Sequence, residues 1–244
     1  MKKTYLLPNF ISMGNFLAGL YAIIFAIQGR ILMAAYLILL AMLFDFVDGT
    51  VARLTKTESH FGMQLDSLCD IVSFGVAPMV LVYMLFMSQA EKFGWFSGVL
   101  FAACGVLRLA RYNTQAKTDG KHYFDGLPIP AAAGFIVSYV IFCYTKSLSF
   151  LLALTPLLVM ATALLMVCGI RYPSFRKLDF KRRRSLESML LIILIAILAT
   201  RDFHVFLVWC FTGYVLIGVI SHVWKHPLWT KKKTEEVLAS EEKP

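Results

Sequence analysis

The chain has 244 residues, 59% of them hydrophobic and only 16% charged, with a mean hydropathy of +0.70. A water-soluble domain of this length has no interior large enough for that much apolar surface, so lipid is the solvent for most of it. The formal net charge of +9 does not point to nucleic acid: the basic residues gather in alternate loops and form no basic–aromatic stripe that could track a phosphate backbone.

Taken in chain order, hydropathy predicts eight spanning helices, at roughly 10–28, 31–54, 62–87, 95–111, 127–144, 148–170, 186–200 and 203–224. The seventh has the shortest apolar core. If it did not cross, the lysines at 231–233 would be stranded on the wrong side. With eight crossings, twenty of the 24 Lys and Arg residues share one side, and only Arg30, Lys92, Lys146 and Arg201 lie on the other. That bias makes the crowded side the cytoplasm, with both termini in it. The expected fold is all-α, a polytopic membrane helix bundle forming one catalytic domain over 1–229. It comprises a core of about 1–170, two further helices at 186–224, and a charged solvated tail at 230–244. Met1-Lys-Lys runs into Pro8-Asn9 with no signal-peptide pattern, and the five cysteines, none in a paired spacing, read as packing residues.

Four aspartates interrupt this apolar pattern. Asp45 and Asp48 are three apart on the predicted second helix, and Ala52 shares their face; Gly62, Asp66 and Asp70, spaced by four, form one stripe on the third. The short connection between these helices makes them antiparallel neighbours, so the two acidic faces meet near the cytoplasmic end. A carboxylate in an apolar span costs several kcal/mol unless a cation compensates it, and four together also repel one another. Hard divalent ions, Mg²⁺ or Mn²⁺, resolve both problems, and two of them about 4 Å apart suit phosphoryl chemistry. Around them, Gly49, Gly62 and Ala52 keep side chains out of the way of a bulky phosphate ester, while Arg53 can grip its oxygens as a fork. Intramembrane aspartates also serve proton or ion translocation, and glycines also serve tight helix packing. Neither use asks for this set in this order, and the outer half offers only Glu91 and Asp202, both in loops, to complete a path.

The string Asp-x2-Asp-Gly-x2-Ala-Arg-x8-Gly-x3-Asp-x3-Asp, present at every defined position from Asp45 to Asp70, resembles the signature of the CDP-alcohol phosphatidyltransferase family. The resemblance implies attack by the hydroxyl of a small alcohol on the lipid-bearing phosphate of a CDP-activated lipid, with release of CMP. It implies that Asp45, Asp48, Asp66 and Asp70 hold two metal ions, that Asp70 is also the base, and that Gly49, Ala52, Arg53 and Gly62 border the CDP moiety.

Other segments are similar to the family's phosphatidylserine synthase branch. These are Pro8-Asn9, Ser73-Phe-Gly75-Val-Ala-Pro78, Arg108-Leu-Ala-Arg111-Tyr-Asn113, Phe124-Asp-Gly126-Leu-Pro128-Ile-Pro130-Ala-Ala-Ala and Arg171-Tyr-Pro-Ser-Phe. That branch implies CDP-diacylglycerol and L-serine as substrates. Glycerol 3-phosphate and inositol phosphate, the alternative acceptors, are dianionic and would ask for a denser basic pocket. Arg108 and Arg111 are the candidates for the serine carboxylate, against a plainer use as membrane-surface anchors. Asn113 either orients the acceptor or caps a helix, and Asn9 and Asn15 either meet the nucleotide or cap the first helix. His60 reads as a solvated loop residue. The small residues at 131–134 suggest close helix contact, a homodimer interface or an opening for lipid tails, and the basic run at 181–184 a juxtamembrane anchor to membrane lipid.

Overall fold

Small residues set the first contact of the bundle. Ala18, Ala22 and Ala26 recur every fourth residue along α1 (Leu6–Ile27) and are buried against Ala34, Ala35, Ile38 and Ala41 of α2 (Ile31–Leu54). With no long side chains between them the two backbones approach closely, the usual way helices associate where lipid offers no hydrophobic drive. The turn between them uses Gly29 at φ +75°, where the left-handed conformation favours glycine, and Arg30 folds back over the Phe25 ring at 4.7 Å.

The computed structural model describes residues 6–55, 59–86, 91–115, 123–173 and 202–221. After α2 come α3 (His60–Asp70), a π-helical stretch (Ile71–Val76), α4 (Ala77–Phe86) and α5 (Glu91–Gln115). They are followed by α6 (Ile129–Thr145), α7 (Ser149–Ala153), α8 (Thr155–Val167) and α9 (Phe203–Ser221). Among the described residues, the spans long and apolar enough to cross a membrane are Pro8–Ile27, Ile31–Leu54, Phe61–Phe86, Lys92–Thr114 and Phe203–Ser221, with α6 and α8 shorter. Their outward faces carry large apolar side chains, such as Phe46 at 69% exposure, as a lipid-facing surface requires. The chain is a multi-pass membrane helical bundle.

Several predicted boundaries move, each for a local reason. The predicted helix at 62–87 starts earlier, because Ser59 caps it: its Oγ accepts from the Gly62 N–H at 3.0 Å. The helix predicted at 148–170 is two helices broken at Leu154, where Pro156 in the first turn of α8 fits a start but cannot continue α7. Residues 168–170 leave the helix altogether. They lead into a two-stranded antiparallel ribbon of β1 (Tyr123–Asp125) and β2 (Arg171–Pro173), in which Phe124 faces Tyr172. The alternation needed to predict so short a ribbon is absent. Gly126, at φ +87°, turns out of β1 so tightly that a Cβ there would meet the Met166 carbonyl.

The small residues at 131–134 make close helix contact within the chain itself: Ala132, Ala133 and Gly134 are buried, and Phe211 of α9 and Met42 of α2 lie against Gly134. At its other end α9 is pinned by a Tyr36–His204 hydrogen bond of 2.8 Å and a Lys146–Asp202 ion pair of 3.4 Å. The predicted segment at 186–200, the basic run at 181–184 and the tail at 230–244 lie outside the described residues.

Candidate active site

The ends of α2 and α5 and the start of α3 converge at one end of the bundle. Asp45 and Asp48 on α2 and Asp66 on α3 each bring one carboxylate oxygen within 4.8 Å of the others. The periodicities put them there: three residues along α2 and the antiparallel return of α3 point all three inward. Asp48 is 4% exposed, and its Oδ2 is buried with no hydrogen-bond partner among the described residues. Burying such an oxygen is expensive unless something cationic meets it. The donor set fits a hard divalent ion, all oxygen and anionic.

Asp70 stands one turn further along the α3 stripe and lies outside that trio. It is 7% exposed, and its Oδ1 accepts a hydrogen bond from Asn15 Nδ2 at 3.0 Å. Asn15 lies in the middle of α1, so the expectation that it caps a helix is corrected. Asn113 is corrected likewise: its Nδ2 donates to Ser67 Oγ at 3.0 Å, tying α5 to the residue that follows Asp66. A mid-helix amide in a membrane span is the signal that could have identified Asn15, since such a group needs a partner inside the bundle.

The residues expected around a phosphate ester line the same end. A Cβ on Gly49 would meet nothing nearer than the Arg53 guanidinium at 4.0 Å, so glycine leaves open space beside the carboxylates. Ala52 is half-buried one turn on, and Arg53 is exposed with Nη2 donating to Thr50 Oγ1 at 3.2 Å. A Cβ on Gly62 would come within 3.2 Å of Asn9 Oδ1, which places Asn9 at this end as well.

The two arginines of α5 differ. Arg108 is 8% exposed, lies over the Tyr112 ring at 5.7 Å, and is close enough to Asp70 for the two charges to interact. Arg111 donates from Nη1 to the carbonyl of Val167, the last residue of α8, at 3.3 Å. A cation on a helix C-terminus is favourable in itself, so Arg111 has an anchoring task.

The family model described as CDP-alcohol phosphatidyltransferase matches residues 5–171. A CDP-diacylglycerol–serine O-phosphatidyltransferase of Helicobacter pylori (strain J99) is 33% identical over 223 residues, covering 90% of this chain and 92% of its own. An archaetidylserine synthase of Methanothermobacter thermautotrophicus is 41% identical over 172 residues, covering 68% and 69%. A CDP-diacylglycerol–serine O-phosphatidyltransferase of Methanocaldococcus jannaschii is 39% identical over 175 residues, covering 72% and 77%.

Proposed function

The chain belongs to the CDP-alcohol phosphatidyltransferase family, and on that premise we propose that it transfers the phosphatidyl group of CDP-diacylglycerol to L-serine, giving phosphatidylserine and CMP. The observation that carries the reading is the convergence of Asp45, Asp48 and Asp66 at the end of the bundle that also buries Arg108. The names borne by the relatives support serine as acceptor.

In the proposed step the serine hydroxyl oxygen forms a bond to the phosphorus that carries diacylglycerol. The bond from that phosphorus to the CMP oxygen breaks, CMP leaves with the electron pair, and the hydroxyl proton passes to Asp70. Asp45, Asp48, Asp66 and Asp70 would hold two divalent ions, Mg²⁺ or Mn²⁺, which when bound neutralise phosphate charge and the charge developing on CMP. Gly49, Ala52 and Gly62 leave room for the CDP moiety, and Arg53 holds its phosphate oxygens. Arg108 pairs with the serine carboxylate, which would otherwise be repelled by the aspartates. In this reading displacement is direct, with the serine hydroxyl itself as nucleophile; the Ser67 hydroxyl, next to Asp66, donates to the Met63 carbonyl and accepts from Asn113. The orientation follows from the basic bias, with the site and both termini on the cytoplasmic side of the inner membrane.

The test is CMP release by purified protein in detergent with CDP-diacylglycerol and Mn²⁺, with serine, glycerol 3-phosphate, inositol phosphate or no acceptor. Serine-dependent release that EDTA abolishes and Mn²⁺ or Mg²⁺ restores is the expected result. Release with another acceptor alone would discard serine, and release without any divalent ion would discard the metal roles.

A further inference from the structure

The Asn15 amide has no part in the reaction just described, yet it is bonded to the carboxylate that serves as base. Asn15 is fully buried, and its Oδ1 has no hydrogen-bond partner among the described residues. Burying a carbonyl without a partner is costly, a cost that a leucine of similar volume would not incur. What the amide supplies in return is its donor, 3.0 Å from Asp70 Oδ1. That direction is the one the proposed base requires, because a carboxylate ready to take a proton accepts and cannot donate.

A second contact fixes the first. The six residues after Asp70 form the π-helical stretch, and in its wider turn Ser73 faces α1 and donates from Oγ to the main-chain carbonyl of Asn15 at 2.9 Å. Gly19, one helical turn beyond Asn15, admits this approach: a Cβ there would stand 2.8 Å from Ser73 Cα. Both ends of the Asn15–Asp70 bond are therefore held, one by α1 and the other by the π turn that continues α3.

We propose that Asn15 is a positioning residue for Asp70. Its amide holds Oδ1 and leaves Oδ2 presented to the acceptor hydroxyl, while Ser73 and Gly19 set the register of α1 against the π turn. The inference rests on Asp70 as the base of the proposed reaction.

The experiment compares wild type, Asn15→Leu, Asn15→Asp and Ser73→Ala as full chains in detergent with Mn²⁺. It reads kcat and KM for serine and for CDP-diacylglycerol, and the thermal stabilisation that CDP-diacylglycerol gives. Both Asn15 variants should lose at least about 30-fold in kcat, as expected for a misplaced base, with both KM values within about twofold and the lipid-induced stabilisation kept. Ser73→Ala should lose about 3-fold to 10-fold in kcat with the same unchanged KM values. A kcat within threefold of wild type in either folded Asn15 variant, or a loss that appears only as raised KM, overturns the proposal. If neither Asn15 variant folds, an unchanged kcat in Ser73→Ala overturns it alone. A wild type that releases no CMP with serine defeats the proposed function first, and this inference with it.

Discussion

The carboxylate side of the site and the arginine side use the same helical arithmetic to different ends. Asp45 and Asp48 are three apart on α2, and with Asp66 they converge on a single point. Arg108 and Arg111 are also three apart, on α5, but they part company: one is buried toward Asp70, and the other grips the end of α8. Spacing selects a face of a helix. What that face then does depends on what stands opposite. For the aspartates it is a second acidic helix returning antiparallel, and for the arginines it is two different elements.

That contrast can be attacked at its strongest point. Asp70→Asn should leave a folded protein that still binds CDP-diacylglycerol, with kcat lower by about 10²-fold to 10⁴-fold; near-normal turnover would remove Asp70 from the role of base. The arginine side should respond unequally. Arg108→Lys should raise the serine KM by about tenfold or more, since a charge-assisted hydrogen bond is worth about 1.5–3 kcal/mol, while the KM for CDP-diacylglycerol stays within about twofold. Arg111→Lys, which keeps a cation beside the C-terminus of α8, should change either KM by less than about threefold. Equal effects from the two substitutions would mean that they share one task. Gly126→Ala touches neither side. It forces a Cβ onto a residue at φ +87° and toward the Met166 carbonyl, so it should cost about 1–3 kcal/mol in thermal unfolding with little change in kcat. A large kcat effect there would tie the ribbon to the chemistry.

The parts of the molecule governed by short-range rules are legible in the sequence. Hydropathy located the membrane spans that the structure describes, and the aspartate spacing located the carboxylate trio. Contacts made across the bundle were hidden. Asn15 lies 55 residues from Asp70 in the chain, and nothing near it indicates which helix returns beside it. The stretch Ile71-Val-Ser-Phe-Gly-Val reads as an ordinary apolar helix, because a π turn has no distinctive residue pattern. The segments around Phe124 and Arg171 stood out separately in the sequence, and only the fold shows that they pair as one ribbon. The break at Leu154 was within reach, since Pro156 marked it; the apolar run on both sides masked the signal.

The shortness of α6 has a consequence for the space beside the carboxylates. At 17 residues it extends about 26 Å, against a hydrocarbon thickness of about 30 Å. Its residues from Ala132 to Ser138 are all buried among the neighbouring helices, so the deficit falls inside the bundle. Its first residue, Ile129, lies against Gly75 and Gly105, about one turn deeper than Asp70 and Arg108, so α6 begins beneath the two groups that must meet the acceptor and does not rise between them.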